Sequence, residues 1–241
     1  MEDYSMTISA TVNYYRNLLS SFSKVFALLV LVGSVSANDF SVAPLDKAPP
    51  AELGETIKAE LGKQAYTISA GDKPMYELWL RKALPLKTAI SSPSKALDAI
   101  GQTTLMGAMK ILGDERDYRD DELYPGTYTV RFGLRPQDGN HLGTSDHLYF
   151  AVLIEAKNDQ ELGKISRSKQ LTRASSKTSA TDHPMILSLY PVSTTDAKTP
   201  AVHEPAPEHT AIRLSLPTVT AEGAEAGAIT FDLVVEGVAE F

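Results

Sequence analysis

A chain of 241 residues with 43% hydrophobic and 22% charged side chains suits one large domain or two small ones, and is too apolar for a disordered polymer. Its formal net charge of −7 excludes a broad phosphate-binding surface, so nucleic acid is not an expected partner. The lack of cysteine excludes disulfides, thiolate metal sites, a cysteine nucleophile and lipid attached through a lipobox.

Arg16 and Lys24 precede a short apolar run, Val25–Gly33, and Val35-Ser36-Ala37 supplies small residues after it. That order predicts a secretory signal peptide over 1–37, cleaved after Ala37. The run is too short to span a bilayer as a helix, so no transmembrane span is expected after cleavage, and the alternative is an uncleaved N-terminal anchor. The absence of an N-x-[ST] sequon fits a bacterial envelope protein better than a eukaryotic secreted one. The expected location is periplasmic or secreted.

Residues 38–63 read as a linker, rich in proline up to Pro50, followed by a short helix with Leu53, Ile57 and Leu61 on one face. From residue 64 to 241 the pattern changes to strands separated by turns. In Met75–Arg81, Tyr76, Leu78 and Leu80 share one face and Trp79 lies on the other beside Met75, so both faces are expected to be covered. Leu86–Ile90 reads as a short strand and Pro93–Ile100 as a helical turn. Thr103–Leu112 places Leu105, Met109 and Ile111 on one side, and Gly107 among them marks a bulge or a close backbone contact. Asp114–Glu122 carries six carboxylates and two arginines in nine residues, the composition of a solvated hairpin tip.

Tyr124-Pro125-Gly126-Thr127 has the proline and glycine of a type II turn. Thr127–Leu134 then alternates, with Tyr128, Val130, Phe132 and Leu134 inward and Thr127, Thr129 and Arg131 outward. His147–Ala156 is almost wholly apolar, as in a strand covered on both faces. Asn158–Lys177 has helical spacing at Leu162, Ile165 and Leu171, capped by Asn158 or Asp159, with a basic outer surface. Further strands are expected at Met185–Tyr190, Ile212–Leu216 and Ala228–Val235, with Pro191–Pro207 an exposed loop. The predicted fold is mostly β: an antiparallel two-sheet β-sandwich, Ig-like or jelly-roll-like, with one peripheral helix.

The loop Arg135–His147 is the leading candidate for a site. It gathers Asp138, Asn140, His141, Asp146 and His147 between two strands that would hold it rigidly. His141 and His147, joined by His183 from the turn before a later strand, have the ligand chemistry for zinc or copper. The plainer reading is a polar hairpin loop whose Asp and Asn side chains cap its own turns. Calcium has a candidate in the acidic loop Asp114–Glu122, but Leu142 and Tyr149 spoil an EF-hand over Asp138–Tyr149. Gly143-Thr144-Ser145-Asp146-His147 lacks the closing glycine of a nucleophile elbow, and H-E-x-x-H is absent, so a hydrolase would need groups converging from distant segments. Trp79, Tyr76 and Tyr149 could form a sugar platform, although strand aromatics are usually core.

Over Tyr124–Gly143, YPGTYTVRFGLRPQDGNHLG, the chain resembles a motif of exported bacterial proteins, PGTYTxRxGLxPxDGxHxG. The likeness extends from Met75–Leu80 to His183–Leu189. It implies export and a sandwich fold, and no catalytic residues. The expected function is a non-enzymatic binding or envelope-interaction role toward an envelope protein or polymer. A histidine metal protein is the alternative, and a hydrolase with a convergent site the third.

Overall fold

A computed structural model of the chain describes residues 39–136, 147–179, 181, 183–194 and 197–239. Its strands in chain order are β1 (Phe40–Leu45), β2 (Leu61–Ala70), β3 (Lys73–Arg81), β4 (Leu84–Pro85), β5 (Leu105–Ile111), β6 (Glu115–Arg116), β7 (Glu122–Leu123), β8 (Gly126–Leu134), β9 (Tyr149–Glu155), β10 (Met185–Pro191), β11 (Ala201–Ala206), β12 (His209–Val219) and β13 (Glu225–Glu236). Helix α1 (Glu55–Lys58) precedes β2, and α2 (Ser168–Ser176) lies between β9 and β10.

The chain is mostly β, but eleven of its strands form one continuous curled sheet, with β6 and β7 paired as a small second one, rather than two facing sheets. Ten strands follow the order β1-β2-β3-β5-β8-β9-β10-β13-β12-β11, and β4 pairs with β12 off this path. Every neighbour along the path is antiparallel. The sheet curls, so that its end strands β1 and β11 come into contact, and β4 crosses from the exit of β3 to pair in parallel with β12. The concave side holds one cluster fed by alternate residues of β3 through β13, among them Tyr76, Leu78, Met109, Phe132, Leu153, Leu187, Leu214 and Phe231. The 3-10 segment Pro93–Ala99 buries Ala96 and Leu97 in the same cluster. The inner face of a sandwich and that of a curled sheet have the same period of two, which is why alternation predicted the strands but not how they close.

The convex side is covered in two places. Leu53, Ile57 and Leu61 pack with Ala65, Trp79 and Leu105, so the apolar face expected around α1 does reach the sheet. Ile165 and Leu171 pack with Phe150, Val152, Ile154, Ile186 and Tyr190, which puts α2 over β9 and β10. Strand β9 therefore divides its residues between the two sides, Tyr149, Ala151 and Leu153 inward and Phe150, Val152 and Ile154 outward, as its unbroken apolar run predicted.

Five expectations are corrected. The segment expected to be a linker supplies β1, paired with β2 from Phe40↔Ala70 to Leu45↔Ala65. The expected loop Pro191–Pro207 contains β11. Leu105 leaves the side shared by Met109 and Ile111 because the register of β5 on β8 shifts between Leu105 and Gly107. Most consequentially, the outward face of β8 is not solvated. Arg131 is only 1% exposed and forms a bidentate pair with buried Asp159, Nε to Oδ2 at 2.6 Å and Nη2 to Oδ1 at 2.9 Å. Its Nη1 donates to the Thr103 carbonyl at 2.8 Å, and the Thr129 hydroxyl donates to Asp159 at 2.6 Å. Asp159 is thus not a helix cap: α2 begins only at Ser168, and Ala156–Asn158 is a 3-10 turn that carries Asp159 over the sheet.

Candidate functional site

Of the expected loop residues, Asp138, Asn140, His141 and Asp146 lie outside the described residues. The base of the loop is closed by the Arg135 N–H donating to the Leu148 carbonyl at 2.8 Å. His147 is half-buried, with its ring edge-on to Tyr190 at 4.3 Å between centroids. His183 is exposed and precedes β10. These two histidines are not brought together. Tyr190, beside His147, stands seven residues along the chain from His183, and five of those steps run through β10. At about 3.3 Å per extended residue those five steps alone span roughly 16 Å, beyond the span of a shared ion. Among the described residues no three metal-ligating side chains cluster, and this includes those of the acidic loop. The aromatic platform is likewise not assembled: Tyr76 and Tyr149 point into the concave core, whereas Trp79 is buried on the convex side, its Nε1–H donating to the Lys47 carbonyl at 2.9 Å.

The acidic segment is a hairpin, β6 paired with β7, but its tip is not solvated: Asp117 and Tyr118 are buried. β13 pairs with β10 only over Leu189–Pro191, which leaves the edge of β10 near Ile186 in need of partners. The Tyr118 N–H donates to the Ile186 carbonyl at 2.9 Å, and the Ile186 N–H donates to Asp117 Oδ2 at 3.0 Å. The other oxygen of Asp117 accepts from the N–H of Arg119 at 2.8 Å and of Asp121 at 3.0 Å. Asp117 is 1% exposed, and burial pushes its carboxyl up to about 6, the three N–H donors pulling the other way. Tyr118 continues inward. Its hydroxyl lies 3.3 Å from both Tyr190 Oη and His209 Nε2, and His209 Nδ1 is 2.7 Å from the Pro207 carbonyl. A carbonyl only accepts, so Nδ1 carries the proton and Tyr118 donates to Nε2. This buried polar cluster ties the loop to the β11–β12 turn.

Beside this loop the convex surface is hollowed. Gly133, Phe150, Val152 and Ile186 form the floor, Ser168, Leu171 and Thr172 of α2 form one wall, and Arg119, Leu134, Arg135, Pro136, His183 and Pro184 are the other described residues lining a cavity of about 160 Å³. Gly133 makes the room: a Cβ there would stand 2.6 Å from Val152 Cγ2 and 3.6 Å from Leu171 Cδ2. Three of the lining side chains are basic types, and Asp117 fixes the backbone of two lining residues, Arg119 and Ile186. Arg135 and His183 belong to segments that the sequence marks as candidates. Arg119 does not stand out there, because a single arginine in an acidic run reads as a neutralising surface charge. Comparison with protein-family models, with curated proteins and with solved structures finds no match to this chain.

Proposed function

We propose that this chain is an exported binding protein without a catalytic role, and that its contact site is the convex hollow at the root of the 135–147 loop. The observation that carries this reading is the cavity of about 160 Å³ walled by α2, an apolar recess of a size that admits a benzene ring. Its position supports it further. The recess lies on β8, β9 and β10 and reaches Arg135 and Pro136, at the root of the segment that the sequence marks as the site. Export rests on Val25–Gly33 and the small residues that follow, and on the likeness at Tyr124–Gly143. The partner class remains a component of the bacterial envelope or its surroundings.

Two measurements test the reading. Expression of the whole coding sequence in a bacterium should yield a periplasmic or extracellular protein beginning at Asn38; retention in the cytoplasm at full length would refute export. Methyl NMR during titration with benzyl alcohol should move the signals of Val152, Leu171 and Ile186 first, and Thr172→Trp, which fills the recess from an exposed position on α2, should abolish the response. Uniform silence up to millimolar alcohol, or shifts centred elsewhere, would remove the recess as the site.

A further inference from the structure

We infer that the recess selects a small amphipathic acid: a carboxylate joined to an apolar body of about one ring or a short alkyl chain. This rests on the binding role proposed for the recess. The volume of about 160 Å³ sets the size of the apolar part, being close to the roughly 150 Å³ cavity that accepts benzene and stays dry otherwise. The charge of the head follows from what surrounds the floor. Arg119, Arg135 and His183 line the recess, and among the described residues no carboxylate does. Of the acids near it among the described residues, Asp117 is taken up by three backbone N–H bonds, and Asp121 pairs with Arg119, its Oδ2 3.3 Å from Nη1.

Arg119 is the residue placed to read the head. Its backbone is anchored by Asp117, and its side chain is only 21% exposed. Nη1 is buried and, despite the ion pair with Asp121, makes no hydrogen bond. A guanidinium has five N–H donors in a planar fork, so the single contact with Asp121 leaves donors for a second carboxylate. The accessible part of the guanidinium can donate to a ligand oxygen, in an environment where charge-assisted bonds are stronger than in water. An apolar neutral ligand of the same shape would gain the floor contacts alone.

The test compares 3-phenylpropionate with 3-phenylpropan-1-ol, which share one apolar body, on the mature protein by methyl NMR and calorimetry at low salt. The acid should bind at least about tenfold more tightly than the alcohol, the equivalent of one charge-assisted hydrogen bond. Arg119→Gln should bring the acid down to the level of the alcohol measured in the same variant, and Arg135→Gln should lower the acid by a smaller factor. Equal binding of acid and alcohol at Val152, Leu171 and Ile186 would overturn the anion selectivity and leave the recess standing as a site. Binding of neither would overturn the recess itself. A preference for the acid that survives both substitutions would show that the head is read elsewhere, and would refute the role of Arg119.

Discussion

Asp117 exchanges water for three backbone N–H groups, and its chemistry sets a testable pH dependence. Burial raises its folded pKa to about 6 from an ordinary 3.8. Between those values the folded chain holds a proton that the unfolded chain has released. Stability from this group is therefore greatest below about pH 4, falls as pH rises toward 6, and is level above that. In Asp117→Asn this limb should vanish. The difference in urea midpoint between wild type and variant, measured at pH 4.5 and 7.5, should shrink at the higher pH, since the other carboxylates cancel in the comparison. A difference that grows with pH would mean that the three N–H donors outweigh desolvation. Arg131 and Asp159 pose the opposite problem. They are 2% and 0% exposed in their side chains, so losing one strands the other. Arg131→Ala should cost about 3–5 kcal/mol in chemical denaturation, whereas the double variant Arg131→Met/Asp159→Leu should recover most of it. If the double variant is no more stable than the single one, the pair is holding the 156–162 segment in place by geometry that apolar packing cannot supply.

At the level of elements, the sequence is informative wherever one rule governs a segment. Strand β9 is legible because a run of alternating residues buried on both sides has to be apolar throughout. Gly107 is legible because a bulge in β5 and the approach of Trp79 both demand a residue without a side chain: its Cβ would stand 2.4 Å from the Trp79 carbonyl oxygen. Gly107→Ala should therefore cost about 1–3 kcal/mol or more by overpacking against backbone, and thermal unfolding should show it as a clear fall in Tm. A change within error would mean that β3 and β5 can separate there without loss. What defeats sequence reasoning is burial of charge. Arg131 obeys the alternation of β8 and faces away from the core, but "away" is covered by the turn at Asp159, a contact between residues 28 apart that no local pattern records. The acidic loop fails for the same reason. Asp117 and Tyr118 complete the edge of β10, and nothing near them in the chain announces a strand edge lying in wait nearly seventy residues later. The recess inherits both difficulties. Its floor is ordinary strand, its wall is an ordinary amphipathic helix, and only their superposition makes a site.

For the whole molecule, closure by contact rather than by hydrogen bonds predicts how it opens. Strands β8, β9 and β10 occupy the middle of the path; β9 and β10 contribute to both convex and concave clusters, and β8 feeds the concave cluster while burying Thr129 and Arg131 on its other face, so their amides can exchange only when the sheet as a whole comes apart. Strand β11 is held by β12 alone, with a register break between His203 and Ala206, and Pro205 in that gap offers no N–H. Strand β1 is held on the other end by β2 alone. Where β1 and β11 touch, side chains meet without a ladder between them, which is the weakest seam of the sheet. Native-state hydrogen exchange should rank protection accordingly: β8–β10 at the global limit and insensitive to low denaturant, β12 and β13 close behind, β1 and β11 lowest and opening independently of the rest. The tie of β4 to β12 gives this ranking a handle. Leu84 is fully buried in the concave cluster and pairs with Thr218 of β12, and Leu84→Ala should lower protection in β11 and β12 more than in β5 and β8. Equal loss across all strands would show that the sheet behaves as one cooperative closed unit, and that the seam between β1 and β11 is no weaker than its ladders.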